Sequence, residues 1–421
     1  MATGVPAKIA NKKKKVPIYV SYEGKKNEEE VLSASFQEYL FQQRINGKGD
    51  NQFYFGDNLD VLLFLRNTEL RGKIKLVYID PPFSTESDFV NRKQKHAYSD
   101  NLTGGDFVEF LRERILLLYD LLANDGSMYV HLDGKMAFTM KLIMDEIFGE
   151  NNCRAFITRK KCSTKNYTKN TYGNISDYIM FYTKTANYVW NRPYEDWDDE
   201  NMLQQYPCVD EKTGKRYKKV PVHAPGVRNG ETGKEWKGMM PPKGKHWQYT
   251  PQKLDELDAA GEIYWSPSGN PRRKVFLDPT KGIPVQDIWL DYRDSINQAQ
   301  KTTGYPTEKN LDMLKLIVEA SSNEGDIVLD CFAGSGTTLD AAFQCKRKWI
   351  GVDNSEESLK AILKRFTTGL EEYGDYVNKK EYKQYSLTDL LVEKCPFDIF
   401  TNQESNELVK NICCNKTFVM E

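Results

Sequence analysis

The sequence predicts an α/β fold: a doubly wound, mostly parallel sheet with one long insertion. Apolar stretches at 74–79, 327–331 and 348–353 have the length of buried strands, and segments with helical spacing of apolar residues accompany them. Alternation of such strands and helices is typical of a parallel sheet that helices cover. From about 190 to 300 this alternation stops, and tryptophan, glycine, proline and lysine dominate. We therefore expect an insertion there.

The first part of the chain is predicted to hold an arm and the first half of the sheet domain. Residues 1–30 carry lysine and glutamate runs with little apolar content, which is typical of a mobile arm. Residues 31–72 are predicted to be mostly helical, with an interruption from Phe53 to Asn58, ahead of the strand at 74–79. A polar loop is predicted over 84–105. It is followed by a helix from Phe107 to Leu122, a strand from Ser127 to Leu132 and a helix through Phe148.

Regular alternation is predicted to resume near residue 310. The expected elements are a helix, a strand at 327–331, a helix at 337–345, a strand at 348–353 and a helix at 355–369. Residues 370–421 have ten acidic and six basic side chains and are predicted to be a separate tail. The predicted units are an arm 1–30, a first half-domain 31–184, an insertion 185–300, a second half-domain 301–369 and a tail 370–421.

Composition narrows the classes of partner. Lysine plus arginine number 59 and aspartate plus glutamate 60, so binding to a polyanion would need a local basic patch. One such patch runs from Glu211 to Trp247, with ten basic residues against three acidic ones, a local net charge of +7. Contact with DNA phosphates is one interpretation of that stretch, and a solvated surface loop is the other.

The sequence gives little support to a membrane protein, a secreted protein or a metal-binding protein. No apolar run reaches the length of a membrane span, and the N-terminus lacks the apolar core of a signal peptide. The eight cysteines include no C-x-x-C pair and the four histidines lie far apart in sequence, so we expect no metal site. Reduced thiols in a cytosolic protein are the simplest expectation.

The first candidate site is the segment Asp80-Pro81-Pro82-Phe83, which directly follows the strand at 74–79. The two prolines stiffen the turn, and Phe83 offers an aromatic face on which a base could stack. The Asp80 carboxylate and the Pro81 carbonyl could both accept N–H bonds from an exocyclic amine of a nucleobase. Such bonds favour a pyramidal nitrogen with its lone pair free for attack. In the alternative interpretation, this tetrapeptide merely ends a strand.

The second candidate site is the segment 330–338, Asp-Cys-Phe-Ala-Gly-Ser-Gly-Thr-Thr. Gly334 and Gly336 permit tight backbone geometry before a helix. Asp353 comes nineteen residues after Gly334, at the end of the next strand, where an acid can accept hydrogen bonds from ribose hydroxyls. The third glycine of a dinucleotide fingerprint is absent, which argues against a pyrophosphate ligand. S-adenosylmethionine (SAM), which has no phosphate, fits this loop better.

The segment at 80–83 precedes the segment at 330–338 in the chain. In this order, the two motifs resemble those of the beta-type DNA adenine-N6 methyltransferases. The pattern is closest to the modification subunits of type III restriction systems. Phe55 to Leu59 resembles the family segment before the catalytic strand, Gly304 to Asn310 resembles the segment that begins the cofactor half, and Trp236 to Trp289 resembles the recognition region. The resemblance covers about 50 to 365. Phe83 stands where tyrosine is commoner in the family, which keeps the stacking face and loses a hydroxyl.

The resemblance implies a Rossmann-like methyltransferase fold whose insertion recognises DNA. It implies methyl transfer from SAM to the N6 amine of a flipped adenine in duplex DNA. The residues implied in catalysis are Asp80, Pro81, Pro82 and Phe83. Those implied in cofactor binding are Asp57, Asn58, Thr307, Glu308, Lys309, Asp330, Phe332, Gly334, Ser335, Gly336, Thr337 and Asp353.

Other functions stay open at this point. Cytosine-N4 methylation uses a similar pocket, although aspartate rather than serine at position 80 favours adenine in family terms. A catalytically idle DNA-binding module, or methylation of RNA or protein, are further alternatives. Double-stranded DNA is the implied partner, a homodimer and a restriction subunit are open as additional partners, and no membrane is implied. The implied location is the cytoplasm, with the nucleoid.

Overall fold

The computed structural model describes residues 19–82, 104–163, 170–294, 301–305, 308–372 and 394–414. They fall into two compact units, the first of which comprises the chain up to Asn191 and from Gln286 onward, and the second Arg192–Val285. The second unit lies inside the predicted insertion at 185–300. Residues beyond Val285 belong to the first unit. None of the helices in the described part of the chain has the length and apolar character needed to cross a bilayer.

Ten strands form the central sheet of the first unit. They are β1 Leu40–Ile45, β2 Asn51–Phe55, β3 Ile74–Ile79, β4 Leu122–Leu132, β5 Cys153–Lys160, β6 Ser176–Thr183, β15 Ile288–Trp289, β17 Ile327–Asp330, β18 Lys348–Asp353 and β20 Phe397–Thr401. A short pair, β16 Lys301–Thr302 and β19 Glu371–Glu372, lies outside this sheet.

The helices of this unit are α1 Glu28–Leu32, α2 Asn58–Arg66, α3 Gly105–Leu121, α4 Ala137–Phe148, α7 Leu311–Ser321, α8 Thr337–Gln344, α9 Glu356–Thr367 and α10 Asn406–Cys413. A 3-10 turn, Glu150–Asn152, follows α4.

The strand order of the central sheet is β1-β20-β2-β18-β17-β3-β4-β6-β5-β15. The run from β20 to β4 is parallel throughout, β15 pairs parallel to β5, and the remaining pairs are antiparallel. This confirms the predicted mostly parallel sheet.

Helices cover both faces of this sheet. Ile350 and Val352 of β18 point to one face and belong to the core that α2, α3 and α4 share with the strands. Gly351 points to the other face, where a Cβ atom would lie 2.6 Å from Leu339 of α8. The absence of a side chain at Gly351 therefore lets α8 pack close to the sheet.

Several predicted elements occur with small shifts of their ends. The helix α3 and the strands β3, β17 and β18 lie within one or two residues of their predicted positions. β4 begins at Leu122, five residues before the predicted Ser127, because the chain passes directly from α3 into the strand. Most of the predicted loop at 84–105 lies outside the described residues.

Three predictions about the ends of the chain are wrong where the structure describes them. Residues 31–72 contain two strands and one main helix, so they are not mostly helical. Residues 19–30 are docked on the protein, since the Tyr22 hydroxyl lies 2.5 Å from Glu109 and Lys25 pairs with Glu146 at 2.6 Å. Phe397–Thr401 is not part of a separate tail, because it pairs with β2 and β1 inside the central sheet.

The second unit consists of small antiparallel sheets packed on a tryptophan cluster. Trp236 and Trp247 are each 2% exposed and belong to a core with Leu254 and Leu257. The elements are β7 Tyr194–Glu195, α5 Asp199–Gln205, β8 Cys208–Val209, β9 Arg216–Pro221, β10 His223–Pro225, a 3-10 turn Glu231–Gly233, β11 Lys245–Trp247, α6 Pro251–Ala259, β12 Ile263–Trp265, β13 Pro271–Phe276 and β14 Ile283–Pro284.

Candidate active site

Two of the candidate motifs lie at the ends of neighbouring strands. β3 and β17 are parallel, with Leu76 opposite Val328 and Val77 opposite Leu329. Asp80 directly follows β3, and Asp330 ends β17. Parallel strands present their carboxyl ends at one edge of a sheet, so the Asp80 turn and the glycine turn are side by side, as expected.

Asp80 has one oxygen in an ion pair and one without a hydrogen-bond partner. Its Oδ2 lies 3.0 Å from the Lys309 ammonium. Its Oδ1 is buried, and no donor among the described residues bonds to it. The Nδ1 of His131 is 3.7 Å away from this oxygen, which is too far for a hydrogen bond. A buried carboxylate oxygen without a partner is costly, so this atom fits an N–H donor of a bound ligand.

A buried polar layer lies behind Asp80, and sequence reasoning did not identify it. His131, at the end of β4, is fully buried, and its Nδ1 lies 2.8 Å from the Tyr78 hydroxyl. Burial lowers the pKa of His131 and raises that of Tyr78 well above its usual value. Both shifts favour a neutral imidazole and a protonated phenol, which matches a hydrogen bond from the Tyr78 hydroxyl to Nδ1. The position of His131 at the end of the strand next to β3 was the available sequence signal.

Asp177 completes this layer from β6. Its Oδ2 lies 3.4 Å from His131 Nε2, and its Oδ1 lies 2.8 Å from the Lys161 ammonium. Burial alone would raise the pKa of Asp177. The partners His131 and Lys161 outweigh that effect and hold the pKa well below its usual range. The layer therefore places a charged carboxylate, paired with Lys161, next to the imidazole beside Asp80.

The glycine turn is tied to Asp353. Gly334 donates its N–H to Asp353 Oδ2 at 2.9 Å, and Ser355 donates its N–H to Oδ1 at 2.9 Å. Burial raises the pKa of Asp353, and the backbone hydrogen bonds oppose that shift. The Asp353 carboxylate is thus fixed at the end of β18, directly beside the glycine turn.

Both glycines of the turn have positive φ angles, +49° at Gly334 and +75° at Gly336. These angles strain other residues. A Cβ at Gly336 would lie 2.9 Å from Ile362, and one at Gly334 would lie 3.4 Å from the Tyr305 ring. The turn therefore needs glycine for its backbone, and at Gly336 also for packing.

Asp330 is 2% exposed and accepts the N–H of Phe332 at 2.9 Å. Burial, with the nearby carboxylates of Asp80 and Asp353, raises its pKa to about 7, although hydrogen bonds from Thr338 and Phe332 act in the opposite direction. Its charge therefore changes near neutral pH.

Several residues predicted to contact the cofactor have hydrogen-bond partners within the protein. Asp57 caps α2 by accepting the N–H of Leu59, and Asn58 donates to the Cys331 carbonyl at 2.9 Å. The hydroxyls of Ser335 and Thr337 bond to each other at 2.8 Å, and both residues are buried. These four residues shape the surroundings of the turn. Phe83 and Thr307 lie outside the described residues.

Glu308 and Lys309 have different partners. Glu308 is 3% exposed and forms an ion pair with Arg365, whereas Lys309 reaches Asp80. Sequence reasoning grouped these adjacent residues as cofactor contacts. The structure separates them into one contact toward the glycine turn and one toward Asp80.

The basic stretch in the second unit is largely exposed. In β9 and β13, Lys219 lies opposite Lys274, and the Lys219 ammonium lies 3.6 Å from the centre of the Tyr264 ring. Lys274 pairs with Asp210 at 2.6 Å. The exposed basic residues of the stretch are Lys212, Lys215, Arg228, Lys234, Lys237, Lys243 and Lys245.

Comparison with known proteins identifies relatives over most of the chain. A family model described as DNA methylase (N6_N4_Mtase) matches residues 74–364. Type II methyltransferase M.EcaI of Enterobacter cloacae is 46% identical over 391 residues, which is 91% of this chain and 85% of that protein.

Two more distant relatives carry informative names. The StyLTI Mod subunit of a type III restriction-modification enzyme from Salmonella typhimurium is 29% identical over 336 residues, 70% of this chain and 50% of that subunit. DNA adenine methyltransferase YhdJ of Escherichia coli is 26% identical over 304 residues, 69% of this chain and 76% of that protein.

Proposed function

The chain belongs to the N6_N4_Mtase family of DNA methylases, and on that premise we propose that it methylates the N6 amine of adenine in duplex DNA. The observation that carries the proposal is the buried Asp80 Oδ1, which has no hydrogen-bond donor among the described residues. It lies beside a glycine turn with an acid at the next strand end. The name of the adenine methyltransferase relative supports adenine over cytosine.

SAM is the methyl donor of this reaction, and it supplies a methyl group on a positively charged sulfur. The residues at the glycine turn fit such a ligand, because Gly334 presents no side chain, the Asp353 carboxylate lies directly beside it, and Asp330 offers a carboxylate to a cation. Gly334 and Asp353 would hold the nucleoside part, and Asp330 would lie toward the positive charge.

Asp80 and Pro81 act on the target amine. Asp80 Oδ1 accepts one N–H bond and the Pro81 carbonyl accepts the other, so the nitrogen lone pair is directed toward the methyl group. Bound SAM would supply the methyl group to this nitrogen, and the Asp80 carboxylate would take up the proton that the amine loses and pass it to solvent. The main contribution to the rate is positioning, which can lower the barrier by roughly 7–11 kcal/mol. The target base has to leave the helix stack to reach Asp80.

The basic stretch from Lys212 to Lys245 contacts the DNA phosphates in this proposal. The whole chain has a formal charge of −1, so affinity for a polyanion depends on such clustering. Because the proposed substrate is DNA, we propose the cytoplasm, with the nucleoid, as the location. The Mod relative is named as a subunit of a restriction-modification enzyme. We therefore propose two partners for this protein besides DNA, a restriction subunit and a second copy of the chain. Size measurement with and without a coexpressed restriction subunit tests these proposed partners.

Transfer of labelled methyl groups from SAM tests the proposed reaction. The purified chain is incubated with duplex DNA, RNA and a protein mixture, and the DNA is digested to nucleosides. We expect label in duplex DNA as N6-methyladenine. Label in N4-methylcytosine would replace the proposed base, and label in RNA or protein would replace the proposed substrate class.

A further inference from the structure

The buried residue Arg365 of α9 forms hydrogen bonds to the glycine turn. Its Nε donates to the Ser335 carbonyl at 2.8 Å, and its Nη2 donates to the Thr337 hydroxyl at 3.1 Å. Its Nη1 pairs with Asp340 at 2.9 Å. The guanidinium is planar and rigid, so these contacts fix the turn relative to α9.

Glu308 connects this arginine to the segment before α7. One carboxylate oxygen bonds to Arg365, and the other accepts the Thr303 N–H at 3.0 Å and the Thr303 hydroxyl at 2.8 Å. Both oxygens are thus engaged, and the residue is 3% exposed. Loss of one partner from a buried ion pair leaves an uncompensated charge, so the position of Glu308 is strongly specified.

Lys309 is the next residue, and its ammonium lies 3.0 Å from Asp80 Oδ2. The prolines after Asp80 restrain the backbone but not the rotation of its carboxylate. A contact on Oδ2 does restrain that rotation, and it leaves Oδ1 for the target amine. These side-chain contacts, joined by the backbone between the adjacent residues Glu308 and Lys309, link the glycine turn to the acceptor of the amine.

We propose that Arg365, Glu308 and Lys309 form a positioning bridge that holds the Asp80 carboxylate in register with the cofactor turn. The proposal rests on the proposed function and assigns a role to three residues that do not act on the methyl group. Methyl transfer requires the nitrogen, carbon and sulfur atoms in line. An error of about 1 Å in such an arrangement can reduce the rate about 100-fold.

The bridge is tested by a double-mutant cycle in single-turnover methylation of duplex DNA. Lys309→Met keeps the aliphatic stem and removes the charge, and it should lower the rate roughly 10- to 100-fold with SAM affinity within about twofold of wild type. Glu308→Gln should lower the rate and also weaken SAM binding. If both residues act through one bridge, the double variant should lose little more than the worse single variant.

Controls separate positioning from general damage. Lys360→Met and Glu356→Gln break a half-exposed ion pair, 2.9 Å long, on the same helix as Arg365, and should leave both the rate and SAM affinity unchanged. Lys309→Arg keeps a cation near Asp80 and should restore most of the rate. Multiplicative effects of Lys309→Met and Glu308→Gln in the double variant would overturn the bridge.

Calorimetric titration with SAM gives a readout that does not depend on DNA. Arg365→Lys preserves the charge but not the planar fork, and it should weaken SAM binding about tenfold or more. Unchanged SAM affinity in Arg365→Lys and Glu308→Gln would refute the cofactor end of the bridge. A wild-type chain that binds SAM but methylates no DNA would overturn the proposed function. The SAM affinities of Arg365→Lys and Glu308→Gln would still test the cofactor end of the bridge in that case.

Discussion

The two halves of the candidate site differ in how completely the protein satisfies its own polar groups. At the glycine turn, Gly334, Ser335 and Thr337 all have hydrogen-bond partners within the chain. At Asp80, a buried carboxylate oxygen has none among the described residues. A satisfied turn keeps its shape before a ligand arrives, whereas an unsatisfied acceptor gains stability when a donor binds. Under the proposed function, this difference implies a preformed cofactor half and a target half that its substrate completes.

The largest expected effect comes from removal of the unsatisfied acceptor. Asp80→Ala should reduce turnover at least about 1,000-fold, because the target amine loses its acceptor. SAM affinity should stay within about twofold, since Asp80 belongs to the target half. Methylation of duplex DNA and calorimetry with SAM measure the two effects. A variant that retains more than about a tenth of the wild-type rate, roughly 1.4 kcal/mol of barrier, would remove Asp80 from this role.

A change at the glycine turn should act first on SAM affinity, which the Asp80 substitution leaves nearly unchanged. Gly334→Val places a branched side chain at a φ of +49°, where the first added atom already lies 3.4 Å from Tyr305. SAM affinity should fall at least tenfold, because strain of about 1–3 kcal/mol disturbs a preformed turn. Gly325→Ala is the matched control, with a φ of +83° and open space around its Cβ position. It should cost stability and spare SAM binding. If Gly334→Val kept full affinity, the cofactor would lie elsewhere.

The pH dependence of SAM binding sharpens the comparison at Asp330. The pKa of this buried carboxyl is raised to about 7, so it is neutral below that pH and charged above it. Because SAM carries a positive sulfonium, binding should tighten as the pH rises from about 6 to 8, by at most about tenfold per pH unit. Asp330→Asn should flatten this dependence. Any titration of SAM itself is common to both proteins, and equal slopes would remove Asp330 from the cofactor site.

The smallest expected effect is on DNA binding, with no effect on SAM binding. Replacement of the exposed residues Lys212, Lys215, Lys243 and Lys245 by Gln should weaken DNA binding and flatten its salt dependence. Each lost phosphate contact should lower the slope by about one. SAM affinity should not change. Lys253→Gln and Lys281→Gln alter exposed residues of the same unit outside the stretch and serve as the control. If both sets changed the slope equally, the stretch would have no special role in DNA binding.

Local patterns predicted the centre of this fold well. The apolar runs of β3, β17 and β18 and the glycine turn after β17 depend on neighbours in sequence, so the motifs and their order were sufficient to place them. The adjacency of Asp80 and Asp330 followed from the general behaviour of parallel strands.

Contacts between distant parts of the chain could not be predicted in this way. β20 enters the sheet between β1 and β2 through pairing across more than 300 residues, and its acidic surroundings suggested a tail. The separation of Glu308 from Lys309 depends on where Arg365 and Asp80 lie in space. Trp236 and Trp247 lie in a basic stretch by sequence, but they form the core of the second unit.

Sequencing that detects methylated bases, applied to DNA from cells expressing the chain or its Asp80→Ala variant, tests the central claim most directly. We predict N6-methyladenine at one recurrent sequence motif with the wild-type chain and none at that motif with the variant. Methylated cytosine at the motif, or equal adenine methylation with both proteins, would contradict the claim that Asp80 receives the adenine amine.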